Sequence, residues 1–184
     1  FNLESPEAFD EVFFLNYLNK TSDLKLEFKN YVNLIISSQE KERYISKNNS
    51  NYKRINFLKN LFKKSHFLLP VRDPIQHAIS LYNQHLNFIN LQKKNKFIKK
   101  YMNFLGHNEF GNDHKYWNKP KKYHDPLNFN YWLEQWYLFY SRIYLKHSND
   151  KNCNFLVYEK FTESNYLKNK ISKINIKKIN YKIL

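Results

Sequence analysis

Glycine is scarce: the 184 residues hold only two, Gly106 and Gly111. A loop that cradles phosphate with successive backbone amides needs glycines between an early strand and its helix. None precedes Gly106, which excludes a glycine-rich loop of that kind from the first half of the chain. A single cysteine, Cys153, excludes an internal disulfide framework and fits a reducing compartment. No run approaches the roughly 20 apolar residues that span a bilayer. Glu4, Glu7, Asp10 and Glu11 interrupt the first residues with acid, unlike a secretory signal. Cytoplasm is the expected compartment.

Acid is also in deficit. With 16 acidic against 31 basic residues the formal charge is +15 and the pI about 9.7. That balance points to anionic partners: a nucleotide, an acidic acceptor or nucleic acid. Coding bias is an alternative source of the Lys, Asn and Ile enrichment that composition does not separate from selection, so charge alone does not choose among them. Aromatics are plentiful, at 18% with 16 Phe and 15 Tyr, which excludes a disordered polypeptide. The length suits one domain, expected to span 1–184.

Along the chain, Ser5-Pro6-Glu7 is a helix-start signature followed by Phe9, Val12, Phe13 and Leu18. A second helix is expected from about Leu26 to Glu42, burying Phe28, Tyr31, Val32 and Ile35. Tyr44 to Lys47 reads as a short strand, and Asn49, Ser50 or Asn51 caps a helix carrying Ile55, Leu58 and Phe62. The run 66–71 reads as a buried strand. Alternation of strand and helix predicts a parallel α/β sheet with helical crossovers, whose ligands sit at the carboxyl ends of the strands. Lys47 and Arg72 both fall at such ends. Further on, Lys93, Lys94, Lys96, Lys99 and Lys100 surround Phe97 and Ile98, either a solvated helix face or a dock for an acidic acceptor. Gly106 to Pro120 is expected to be an ordered loop. Asp125-Pro126 opens a helix striped with Phe129, Trp132, Leu133, Trp136, Phe139, Tyr140, Ile143 and Tyr144, read as core. Cys153 to Val157 is the last strand expected, and a basic, Ile-bearing tail follows from Thr162.

The most informative segment is Arg72-Asp73-Pro74 with Ser80. It joins the apolar run Phe67-Leu68-Leu69-Pro70-Val71 to a helix whose Ile75, Ala78, Ile79 and Tyr82 recur at helical spacing. Asp73 is placed to cap and Pro74 to occupy the first helical position. Helix amides and the dipole make such a turn an anion site. Arg72 adds a forked cation and Ser80 a neutral donor.

These residues resemble the 3′-phosphate-binding element of sulfotransferases that use 3′-phosphoadenosine 5′-phosphosulfate (PAPS). In that family an Arg at a strand end and a Ser eight residues on hold the 3′-phosphate, the separation of Arg72 and Ser80. The resemblance continues in Arg43-Tyr44-Ile45-Ser46-Lys47-Asn48-Asn49, similar to a Lys-bearing strand end of the bacterial enzymes, and in Phe155-Leu156-Val157-Tyr158-Glu159-Lys160-Phe161, similar to their late strand. It spans roughly residues 40 to 162. It implies a P-loop-type α/β fold with a helix-rich C-terminal half, PAPS as co-substrate, and sulfuryl transfer to an acceptor hydroxyl or amine. The family carries a glycine-bearing 5′-phosphosulfate loop near its start. Its lack here, with a first residue Phe1, leads us to expect the C-terminal portion of a longer chain, or a degenerate relative.

By the same resemblance Lys47 is the cation near the transferring group; a solvent-facing lysine is the equally weighted alternative. Cytosolic relatives place a His base two residues after that Lys, where this chain has Asn49, which accepts no proton. The base must come from elsewhere. His107, Glu109, Asp113 and His114 lie in one short stretch, and Glu109 and His114 are candidates from it. Their spacings match no standard zinc pattern, and no metal is expected; loop-ordering hydrogen bonds are the commoner role. Glu7, Asp10 and Glu11 are the second source, against the simpler role of complementing a helix dipole. Glu159 is expected to pair with a Lys or Arg, and Cys153 to be a small buried apolar side chain. The rival class is a non-catalytic, basic nucleic-acid-binding module, supported by charge and interleaved aromatics around 93–104 and 115–124. A catalytically dead nucleotide-binding relative is the third. No sequence-specific nucleic-acid partner and no membrane span are expected, and the acceptor is not encoded in any motif.

Overall fold

The computed structural model describes residues 7–18, 23–163, 165–172 and 174. It is mixed α/β and mostly helical, with one sheet among the described residues: β1 (Phe67–Val71) pairs in parallel with β2 (Cys153–Val157), Phe67 opposite Cys153 and Val71 opposite Val157. The helices are α1 (Glu7–Tyr17), α2 (Leu24–Ser38), α3 (Ile55–Leu61), α4 (Pro74–Lys94), α5 (Lys96–Phe104), α6 (Phe129–His147) and α7 (Tyr166–Ser172). Three of them, α4, α5 and α6, separate the two strands in sequence, as a parallel pair requires. The glycine-loop element of the expected P-loop-type fold is not among these elements. Ser5 and Pro6 of the first helix signature, and the tail beyond 174, lie outside the described residues.

The chain divides into two compact units. Unit 1 comprises Phe1–Lys63 with Gln84–Tyr116, and unit 2 comprises Lys64–Asn83 with Trp117–Leu184. The core of unit 1 is aromatic. Phe14 and Phe28 lie 4.7 Å apart between ring centroids, Phe13 and Phe28 5.3 Å, and Ile55, Leu58 and Val32 of the same unit are buried as well. Asp23 caps α2 through its side chain, accepting from the Leu26 amide at 3.0 Å. In unit 2 the wholly buried Trp132 donates its indole N–H to the Pro126 carbonyl and meets Tyr131 and Trp117 edge to face.

Several expectations are corrected. Residues 44–47 form no strand and no helix, with Tyr44 and Ser46 half-buried and Ile45 and Lys47 exposed. β1 is half-buried with alternate residues exposed, not a fully buried strand. On α4 the buried face carries Ala78, Leu81, His85 and Gln92, whereas Ile75 and Ile79 are exposed. The helix expected to open at Asp125-Pro126 begins at Phe129. Asp125 turns its carboxylate onto the Leu127 amide at 2.8 Å, and Asn128 provides the cap, accepting from Asn130. The stripe on α6 is core at Trp132 and Ile143 but ends in an exposed Tyr144. The basic cluster around Phe97 spans the last turn of α4 and the start of α5, which Asn95 caps; Lys93, Lys94, Lys96 and Lys100 are exposed and Lys99 is half-buried.

Candidate functional site

The strand-to-helix turn of unit 2 is built as its residue types dictate. Asp73 Oδ1 accepts from the Gln76 amide at 2.8 Å, closing the first turn of α4. Parallel pairing brings the carboxyl ends of β1 and β2 side by side, so the residues that follow each strand meet. Arg72 and Tyr158 are those residues, and the guanidinium carbon lies 5.2 Å from the Tyr158 ring centroid. One residue further, Glu159 Oε1 accepts from the Asp73 amide at 2.7 Å. Among the described residues the hydrogen-bond partner of Glu159 is this backbone amide and not the expected Lys or Arg, and a carboxylate of the chain already sits at the head of α4.

Other polar groups converge here that the sequence did not single out. His77 follows Asp73 by four residues and precedes Ser80 by three, so all three share one face of α4. Burial pushes the His77 imidazole below its ordinary value and the Arg72 cation adds to this, against a smaller opposing pull from Glu159. His77 is therefore neutral at pH 7. Tyr140 on α6 lies 6.1 Å from His77 between ring centroids and donates to the Pro70 carbonyl at 2.9 Å; burial, then Glu159, raises its phenol to about 12. Arg72 Nε, His77 Nδ1 and Trp136 Nε1 are buried without a hydrogen-bond partner among the described residues. Groups of this kind normally find one. Ser80 is exposed, two turns into α4.

In unit 1, Glu109 draws together what the sequence left separate. Its Oε1 accepts from Asn49 Nδ2 at 3.2 Å and lies 3.3 Å from His107 Nδ1. Asn49 is the position at which the sulfotransferase resemblance would place a His base, and a carboxylate stands beside it. Burial pushes the Glu109 carboxyl up, but hydrogen bonds from His107, its own amide and Asn49, with the His107 charge, bring it below the usual carboxylate value. His114 Nδ1 contacts the Glu109 carbonyl oxygen at 2.7 Å and its ring meets His85 at 5.1 Å; burial lowers its pKa. Asp113 turns away to Lys99 and Asn103, at 2.9 and 2.8 Å. The stretch 107–114 is thus ordered by hydrogen bonds. Lys47 is exposed in the irregular segment 44–47, and with no strand there the sheet argument for bringing it to Arg72 falls away.

Two acidic residues of α1, Asp10 and Glu11, are internal anchors. Glu7 is the first residue of α1, and its side chain lies outside the described residues. Asp10 is 1% exposed and accepts from the hydroxyls of Tyr31, Tyr44 and Ser46. Burial raises its pKa despite those donors, and burial with the Asp10 charge raises both tyrosines. Glu11 forms a forked pair with Arg54, at 2.7 and 2.8 Å, and accepts from Asn48 at 3.2 Å. Arg54 in turn lies 4.0 Å over the Phe14 ring.

No family model, no curated protein and no solved structure matches the chain. No helix among the described residues is long and apolar enough to cross a membrane.

Proposed function

We propose that the turn Arg72-Asp73-Pro74 with Ser80 binds the 3′-phosphate of an adenine nucleotide, and that the protein is a PAPS-dependent sulfotransferase or a relative that keeps its nucleotide half-site. The observation that carries this reading is the buried Nε of half-buried Arg72 at the carboxyl end of β1, which has no hydrogen-bond partner among the described residues. A phosphate is a dianion with several acceptors, suited to a forked cation beside a helix start. The side-by-side ends of parallel β1 and β2 are where ligands of α/β sheets bind. Glu159 holds one amide of the turn, so a phosphate is received by Arg72, the imidazole of His77 and Ser80 or displaces that carboxylate. The reaction this reading implies moves a sulfuryl group to an acceptor hydroxyl or amine. Lys47 is its charge-stabilising candidate, and Glu109, ionised and next to Asn49, is the base it favours over His114 and Glu7.

Calorimetry with adenosine 3′,5′-bisphosphate and with AMP tests the assignment on the full-length protein. The bisphosphate is expected to bind more tightly, each charged hydrogen bond being worth about 1.5–3 kcal/mol. Arg72→Ala removes most of that preference, Ser80→Ala less, and Arg72→Lys restores it only in part because the fork is lost. Equal affinities for the two nucleotides would sink the reading.

A further inference from the structure

The connection between α6 and β2 carries a second group of chemically distinct side chains. His147 is the last residue of α6, Asp150 lies in the turn that follows, and Cys153 is the first residue of β2. One ligand atom from each, an imidazole nitrogen, a carboxylate oxygen and the thiol sulfur, lies within 4.8 Å of the others. His147 is 6% exposed and Cys153 8%. We infer that these three residues bind a divalent transition-metal ion of the zinc class, which fixes the α6–β2 connection.

Geometry, donor chemistry and local order support this. Zinc binds sulfur, nitrogen and oxygen at about 2.0–2.3 Å, so ligand atoms on a tetrahedral ion stand roughly 3.5 Å apart. His147 Nδ1 and Asp150 Oδ2 are 3.9 Å apart, too far for a hydrogen bond and close to a tetrahedral edge. Sulfur and imidazole donors favour zinc, cobalt or copper over magnesium or calcium, which prefer oxygen alone. The backbone already presents the cluster. The Asp150 amide donates to the His147 carbonyl at 3.1 Å, and the Cys153 amide to the Asp150 carbonyl at 2.8 Å. Asp150 Oδ1 accepts from the Asn152 amide at 3.0 Å, which orients the carboxylate. Residues 147, 150 and 153 recur every third position across a helix end. That spacing is not a standard zinc signature, which is why Cys153 reads from sequence as a buried apolar side chain. Binding releases the thiol proton, leaving thiolate, neutral imidazole and carboxylate around the ion; a water completes four-coordination.

Cobalt(II) titration of the reduced, chelator-treated full-length protein tests the site by absorption. One equivalent is expected to bind with a thiolate-to-cobalt charge-transfer band that zinc abolishes by displacement. Cys153→Ser is expected to remove the band, and His147→Gln to lower zinc affinity by more than the about 10–100-fold that loss of an outer partner costs. Asp150→Asn, the least buried change, keeps the band and weakens zinc binding about tenfold or more, with near-ultraviolet circular dichroism showing that the fold is intact. No thiolate band in the parent protein, a band that survives Cys153→Ser, or unchanged zinc affinity in folded Asp150→Asn would each overturn the assignment. Nucleotide calorimetry is independent of all three readouts.

Discussion

Replacing Glu11 by Ala isolates the interaction that ties α1 to the start of α3. The carboxylate makes two charge-assisted hydrogen bonds to the Arg54 fork and accepts a third from Asn48. The two charged side chains are 13% and 16% exposed, so solvent cannot replace the lost partner fully. Breaking a buried pair by removing one partner costs about 3–5 kcal/mol, and slight exposure places this pair at the lower end, about 3 kcal/mol. Against a total of about 5–15 kcal/mol that is a large fraction. With a urea dependence of about 2 kcal/mol per molar the midpoint should fall by roughly 1.5 M. Arg54→Ala also loses the Phe14 contact, so a double-mutant cycle is needed, with an expected coupling of about 2 kcal/mol. Acid dependence supplies the sign. Glu11 is held below its ordinary value of 4.5, so its contribution is full above that pH and fades as pH falls through the lower native value. The gap between parent and Glu11→Gln should therefore narrow in acid. A coupling within about 0.5 kcal/mol of zero, or a gap that widens in acid, would refute the reasoning.

Asp10 has the opposite sign: burial raises its pKa above 3.8, so its contribution is full below that value and is lost as pH rises through the native one. Asp10→Asn should therefore gain stability relative to the parent between about pH 4 and 7, measured by urea midpoints at both ends; a pH-independent difference would contradict it. Gly111→Ala should cost about 2–4 kcal/mol, because φ is +87° and an added Cβ would sit 2.5 Å from Gln92 Nε2. A thermal midpoint unchanged by that substitution would refute the crowding. If the full-length protein transfers sulfuryl groups, Glu109→Gln should lower turnover by about 10²–10⁴ while Asn49→Ala keeps most of it, whereas near-parental turnover in Glu109→Gln would reject Glu109 as base.

Local chemistry made parts of the fold legible. β2 lies where the apolar run predicts it, and Asp73 caps α4 because a short carboxylate before Pro has few better conformations. The irregular segment 44–47 shows where the pattern misleads. Its period-two alternation of burial is real, and the inward side chains Tyr44 and Ser46 donate to buried Asp10, but its backbone joins no ladder among the described residues. Asp10 and Glu11 looked like ordinary first-turn acids because their partners, Tyr31 to Arg54, are distant in sequence. Of the candidate site, the Arg72 turn was visible as a contiguous motif. Glu159 against the Asp73 amide, 86 residues apart, was not, nor was Asn49 beside Glu109, 60 apart. Tertiary pairings of that range leave no periodicity to read.

The register of β1 against β2 also sets an order of events. Partners across that sheet are separated by 86 residues, and closing such a span costs about 2 kcal/mol more than closing one of ten. Unit 1 draws on residues no later than Tyr116, whereas unit 2 needs Lys64–Asn83 to wait for β2, which ends at Val157. During synthesis, at about 5–20 residues per second, β1 leaves the ribosome seconds before its partner exists. Through that interval the amides and carbonyls of Phe67 to Val71 stand unpaired on an apolar strand, the kind of edge that recruits other chains. Pro70 withholds one donor from that edge and so blunts it.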